Sequence, residues 1–159
     1  MSAPVLETAI VADWIDYNGH MNDAAYARVF SLAGDALMDG IGLDAASRAA
    51  TGRTIYTLQM MLHYFREAKL GERIALSARV LEFDAKRMRT WMEMTRPSDG
   101  ARLAAAEMLL LSVDDGAGKG KAASWLPGTA EKIAARFDAE AGAPMPVEAG
   151  RGVTLKKAR

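Results

Sequence analysis

The chain has 159 residues, half of them hydrophobic and a quarter charged, the balance of one folded domain with its own core rather than of a disordered segment. Twenty basic and twenty acidic side chains cancel, so no global field draws the protein to nucleic acid or to an anionic bilayer, and a polyanion must meet a local cluster of Lys and Arg. The absence of cysteine excludes a disulfide scaffold, a thiolate nucleophile and a Cys-ligated zinc site.

Val5 to Val11 is a short apolar run that reads as a first strand. The polar and aromatic stretch Asp13-Trp14-Ile15-Asp16-Tyr17-Asn18-Gly19-His20 then breaks any regular pattern. Asn22 suits an N-cap and Asp23 suits a first helical turn, where a carboxylate meets the positive end of the dipole. Tyr26, Val29, Phe30, Ala33, Leu37 and Ile41 recur at helical spacing, and further apolar residues widen the stripe until the helix is expected to be wrapped rather than laid on a surface. Gly40 and Gly42 end it, and Asp44 to Thr51 makes a brief second helix.

From there the period becomes two. Tyr56, Leu58, Met60, Leu62 and Tyr64 share one face of a long strand, Gly71-Glu72 is a turn, and Ile74, Leu76, Ala78 and Val80 mark the next strand. Asp84-Ala85-Lys86 turns the chain into the alternating run Met88 to Met94. Pro97-Ser98-Asp99-Gly100 is a hairpin signal before Ala101 to Val113, which is apolar on both faces as in a covered central strand. Asp115 to Lys121 reads as a mobile loop, Thr129 to Glu140 as a C-terminal helix, and Arg151 to Leu155 as a final edge strand. The expectation is a single domain over 1–159: four consecutive hairpin-connected strands curl around one long central helix, an α+β fold. Met1-Ser2-Ala3-Pro4 lacks the basic start of a signal peptide, and no apolar run approaches the ~20 residues that span a bilayer, so a cytoplasmic protein is expected.

The segment from Asp13 to Asn22 concentrates polar groups just before the start of a buried helix. Unpaired N–H groups and the positive dipole end make such a start a ready site for a developing oxyanion. A carboxylate beside it can attack a carbonyl or take a proton from water that does so. Asp16 and Asn18 also read simply as turn residues, the common use of Asp and Asn near Gly.

Asp16-Tyr17-Asn18-Gly19-His20-Met21-Asn22, with Tyr26 following, resembles the signature of the 4-hydroxybenzoyl-CoA thioesterase-like branch of the hotdog superfamily: an Asp, two residues, Gly-His-(Val/Met)-Asn, and then a Tyr on the central helix. Phe65 to Glu72, Asp84 to Arg87 and Glu107 to Asp114 are similar to later segments of that family, and Trp14 to Asn22 is especially similar to thioesterases of carnitine breakdown that act on betainyl-CoA. The resemblance implies a hotdog fold and hydrolysis of an acyl-CoA, with no metal and no cofactor beyond the CoA of the substrate. It implies Asp16 as nucleophile or general base, and the backbone N–H of Asp23 as the group that polarises the thioester carbonyl. Asn22 caps the helix, and Asn18, Gly19 and His20 shape the loop. Trp14, Tyr17 and Tyr26 complete the substrate-binding set. Arg66, Lys69, Lys86, Arg87 and Arg89 are the candidate contacts for CoA phosphates. A homodimer or homotetramer is implied as the assembly. Many relatives carry a second Asp two residues before the catalytic one, where this chain has Trp14.

Other residues have bland readings beside functional ones. His20 reads as loop-ordering and His63 as a core or interface residue. Glu107, a carboxylate in an apolar strand, calls for an Arg partner. Trp14, Tyr17, Tyr56 and Trp91 are aromatic candidates to surround an acyl group, and a trimethylammonium would suit such a cage. Two other functions stay open: a hotdog enoyl-CoA hydratase, although three residues rather than four separate Asp16 from His20, and a non-catalytic acyl-CoA-binding module.

Overall fold

The apolar stripe that follows Asn22 forms helix α1, Asp23–Gly40, with Ala25, Tyr26, Val29, Phe30, Ala33 and Leu37 buried. The computed structural model describes residues 3–116 and 118–153. Strand β1 (Leu6–Ala9) precedes α1. It is followed by α2 (Ala45–Thr51), β2 (Arg53–Tyr64), β3 (Arg73–Phe83), β4 (Arg87–Arg96), β5 (Ala101–Asp114), β6 (Lys121–Ala122) and α3 (Pro127–Ala139). The strands form one sheet in the order β1-β3-β4-β5-β2, with β6 pairing β5. The fold is therefore α+β with an antiparallel sheet, as expected. Among the described residues no helix is long and apolar enough to cross a membrane.

The chain divides into two compact units, and α1 and β2 to β5 each have residues in both. One unit comprises Met1–Leu37, Leu62–Ala78 and Met92–Ala106. Its core joins Val29, Phe30 and Ala33 of α1 with Ile74 and Leu76 of β3, Met92 and Met94 of β4, and the run Leu103-Ala104-Ala105-Ala106 of β5. Fully burying a side chain the size of Phe30 contributes roughly 1.5–3 kcal/mol. β1 is paired antiparallel to β3, Leu6 opposite Leu76 and Ala9 opposite Arg73. Arg96 bridges Glu72 at 3.0 Å and Asp99 at 2.9 Å, and the Arg96 guanidinium holds the Asp99 carboxyl below its usual range.

The second unit comprises Met38–Met61, Arg79–Trp91 and Glu107–Arg159. Ile41, Leu43, Val80, Met88, Met108, Leu110, Trp125 and Ile133 are among its buried apolar residues. Glu107 finds the partner its position calls for: it accepts from Arg89 Nε, and also from the Gly150 N–H at 2.7 Å. Arg79 donates to the carbonyls of Pro144, Glu140 and Ala143, fixing the segment after α3. At the β3–β4 turn, Arg87 and the backbone N–H groups of Lys86 and Arg87 hold the Asp84 carboxyl at about 2.

The four expected strands are not joined by hairpins throughout. β2 pairs with β5, so of those four strands only β3, β4 and β5 follow one another as neighbours. The expected turn at Gly71-Glu72 forms, the Glu72 N–H donating to the Lys69 carbonyl at 3.1 Å, but it closes a longer segment, 65–72, whose backbone is stitched elsewhere. Phe65 and Arg66 both donate to the Leu103 carbonyl, Gly71 donates to Ile10, and Ala68 accepts from Met21. As an edge strand β2 leaves Tyr56, Leu58 and Tyr64 exposed rather than lining a buried face. β1 is shorter than Val5 to Val11 because Ala12–Trp14 winds into a 3₁₀ turn. α3 begins two residues early, on Pro127, whose fixed φ suits a first helical position. The loop after β5 holds the short strand β6, and of the expected final strand 151–155, residues 151–153 are not extended into the sheet while 154 and 155 lie outside the described residues.

Candidate active site

The residues between β1 and α1 fold on themselves into a small closed turn. Ile15 bridges Met21 antiparallel. Within that bridge the Asp16 N–H donates to the His20 carbonyl at 2.9 Å, and the Gly19 N–H donates to the Asp16 carbonyl at 3.0 Å. The Asp16 carboxylate accepts from the Asn18 N–H at 2.8 Å. Gly19 sits at φ 76°, a left-handed conformation that a Cβ would strain. The Asn22 N–H then donates to the Trp14 carbonyl at 2.8 Å, so the chain leaves the turn aimed into α1.

Asn22 is the helix cap. Its Oδ1 accepts from the Ala24 N–H at 2.9 Å, and its carbonyl accepts from Ala25 at 3.0 Å. The N–H of Asp23, the first residue of α1, has no partner among the described residues. An unpaired N–H at a helix start, with the dipole behind it, is a preformed donor for negative charge.

Asp16, His20, Met21, Asp23 and Tyr26 line a cleft of about 380 Å³, with Tyr64, Phe65, Arg66 and Glu67 forming its other wall. The rings of Tyr26 and Tyr64 meet edge-to-face at 5.2 Å. Tyr26 donates to the Arg66 carbonyl at 3.4 Å, and Tyr64 donates to the Asp23 carbonyl at 3.2 Å. Burial pushes both phenols above their ordinary value, Tyr64 with help from the Asp23 charge, so both are hydrogen-bond donors at neutral pH. His20 Nε2 lies 3.1 Å from Glu67 Oε2. Among the described residues no cluster of three His, Asp or Glu is set to hold a metal ion.

Of the site residues expected from sequence, Asp16, His20, Asp23, Tyr26 and Arg66 line this one cleft. Asn18 and Gly19 shape the turn beside it from exposed positions. Trp14 is buried beneath the turn and Tyr17 is 97% exposed, and neither is among the lining residues. Lys69 is exposed in the 65–72 segment, where its N–H is held by Glu72. Lys86, Arg87 and Arg89 belong to the second unit. There Arg87 is engaged by Asp84, and Arg89 by Glu107 and Glu82. The aromatic set Trp14, Tyr17, Tyr56 and Trp91 is not gathered at the cleft: both tryptophans are buried, and Tyr56 and Trp91 lie in the second unit. The aromatic walls are instead Tyr26, Tyr64 and Phe65, the last covered by the Arg102 guanidinium at 4.5 Å. Tyr64, Phe65 and Glu67 were missed as site residues. The signal for them was the aromatic, basic and acidic run Tyr64-Phe65-Arg66-Glu67 at a strand's end. His63 is half-buried and stacks on Phe65.

A carboxylate, an unpaired helix N–H and aromatic walls around one cleft are the parts of a hydrolytic site for an activated ester. The profile of the thioesterase-like superfamily matches residues 10–148. A betainyl-CoA thioesterase of Pseudomonas aeruginosa is 36% identical over 96% of this chain and 95% of its own length. An L-carnitine dehydrogenase/betainyl-CoA thioesterase of Agrobacterium fabrum is 35% identical over 92% of this chain, which spans only 29% of that longer protein. Among solved structures, one from Pseudomonas putida KT2440 assigned as a thioesterase is 35% identical, with a TM-score of 0.83 and 99% of both chains covered. The chain belongs to the thioesterase-like superfamily, and it is a thioester hydrolase of the hotdog fold.

Proposed function

We propose that this protein hydrolyses the thioester of a small acyl-CoA to the free acid and CoA, with Asp16 acting at the carbonyl and the start of α1 receiving the negative charge. The observation that carries the reading is the pairing of Asp16 with Asp23 in one cleft, where the Asp23 N–H is unpaired among the described residues. As general base, Asp16 takes a proton from water, whose oxygen attacks the carbonyl carbon. The C–S bond then breaks, and the thiolate recovers a proton. As nucleophile, Asp16 attacks directly, the thiolate leaves, and water cleaves the resulting anhydride. Either route puts charge on the carbonyl oxygen where the Asp23 N–H can meet it, while Asn22 keeps the first helical turn in place. Water is the second reactant, so the reaction as proposed asks for no cofactor.

The cleft is at the small end of ligand pockets, which suits an acyl group and its thioester with most of CoA outside. Arg66 at the cleft and Lys69 close by in sequence are the contacts we assign to CoA phosphates. Tyr26 and Tyr64 bring aromatic rings to the cleft, and such rings attract a quaternary ammonium. Together with the name of the P. aeruginosa relative, this favours betainyl-CoA among the small esters. Purified protein incubated with short, branched, aromatic and betainyl CoA esters is expected to release thiol, fastest from betainyl-CoA. Binding without thiol release across the whole set would overturn the hydrolase reading, and hydration of crotonyl-CoA without thiol release would replace it with a hydratase.

We read the whole chain as one catalytic domain working in the cytoplasm, where acyl-CoA esters are made and consumed, and as a homodimer or homotetramer. Support for the assembly comes from β2, an edge strand of 12 residues that exposes Tyr56 at 44% and Leu58 at 49%. Long apolar edges are normally covered, and a second copy can do so across a two-fold axis. Sedimentation equilibrium is expected to give two or four times the 17.1 kDa chain mass, and Leu58→Lys to lower it. A monomer at micromolar concentration would refute the assembly.

A further inference from the structure

The cleft holds a carboxylate that the proposed reaction does not use. Glu67 lines it together with Asp16, and its Oε2 is 3.1 Å from His20 Nε2. His20 is also the residue whose carbonyl accepts the Asp16 N–H, at 2.9 Å. The order of contacts therefore runs from the Glu67 carboxylate to the His20 ring, and from the His20 backbone to the backbone of Asp16. Glu67 is well placed to act as a fixed post. On one side of it Phe65 and Arg66 are both bonded to the Leu103 carbonyl. On the other, Ala68 is fully buried and accepts from Met21 at 2.8 Å. The return arm of the Asp16 turn is thus tied to the 65–68 segment at two successive residues, by the His20 ring and by the Met21 backbone.

We propose that Glu67 is a positioning residue for this reaction: by holding the His20 ring it fixes the turn that presents Asp16 to the thioester. The proposal rests on the reading of Asp16 as the reacting carboxylate. The geometry has two chemical requirements. His20 must carry a proton on Nε2, either as the neutral Nε2–H tautomer or as the imidazolium, and Glu67 must present an acceptor oxygen. Both side chains are partly exposed, His20 at 32% and Glu67 at 66%, so the pair adds little to stability. Its effect falls on geometry, where an error of an ångström at the reacting group is enough to lose up to ~10²-fold in rate.

The test is a double-mutant cycle on kcat and KM with the preferred CoA ester, with Asp16→Asn measured alongside. Glu67→Ala is expected to lower kcat about tenfold with KM and melting temperature unchanged. Glu67→Gln, which keeps an acceptor oxygen, is expected to retain most of the activity. His20→Ala is expected to match Glu67→Ala, and the double variant to be no worse than either single one, because both break the same link. Wild-type kcat in Glu67→Ala, losses that multiply in the double variant, or a change confined to KM would overturn the positioning role. If Asp16→Asn is inactive in the same series, the reading of Asp16 as the reacting carboxylate survives that failure. If Asp16→Asn is fully active, it is that reading which fails.

Discussion

Asp16→Asn is expected to lose about 10³-fold in kcat while keeping its fold, the size of effect typical of a group that transfers a proton or forms the bond. The substitution is nearly isosteric, and the amide oxygen can still accept from the Asn18 N–H that the carboxylate now holds at 2.8 Å. The turn therefore has no reason to open, and circular dichroism and the melting curve are expected to overlay those of the parent. What disappears is the negative charge and its basicity. An amide neither takes a proton from water nor attacks a thioester. Residual turnover is expected from charge stabilisation at the helix start, which the variant keeps. Steady-state thiol release with the best CoA ester makes the measurement. A variant within a few-fold of the parent would remove Asp16 from the mechanism.

The second large effect concerns a group that no side-chain substitution ordinarily reaches. Asp23 is the first residue of α1, and proline is tolerated at that position because the N–H it lacks has no helical partner anyway. The residue before a proline is restricted to extended conformations, which an N-cap such as Asn22 already favours. Asp23→Pro thus deletes one backbone donor with little cost to the helix. If that donor meets the carbonyl oxygen, kcat falls ~10²–10³-fold. Asp23→Ala is the control, since it removes the carboxylate and keeps the N–H, and it is expected to stay close to wild type. Equal losses in the two variants would assign the effect to the side chain and dismiss the backbone donor.

Local signals carried α1 and its cap, because a 3.6-residue period, an Asn side chain and a terminal glycine act within one or two turns. They also carried β3, β4 and β5, where short polar turns join alternating runs. The Asp16 turn was legible for the same reason: its hydrogen bonds span residues 14–22 and close on themselves. The pairing of β2 was not. Alternation tells which residues share a face but not which strand lies alongside, and β5 is reached only across two intervening strands. Apart from Arg66, the far wall of the cleft was missed for a related reason. Tyr64 to Glu67 meets the Asp16 turn through the bond from Met21 to Ala68, and nothing local to either segment announces it. Composition also does not tell which basic residues are already paired: Arg87 and Arg89 are each engaged by a carboxylate.

The two walls of the cleft come from different stretches of chain, one holding Asp16 and the helix start, the other holding Tyr64 to Glu67. The walls are also tied together, since Tyr64 donates to the Asp23 carbonyl and Glu67 holds His20. Under the proposed reaction, Phe65 is therefore the wall residue to vary first: its ring makes no bond to the Asp16 turn or to the helix start, so a laboratory library at that position is the short path to new ester preferences with turnover kept.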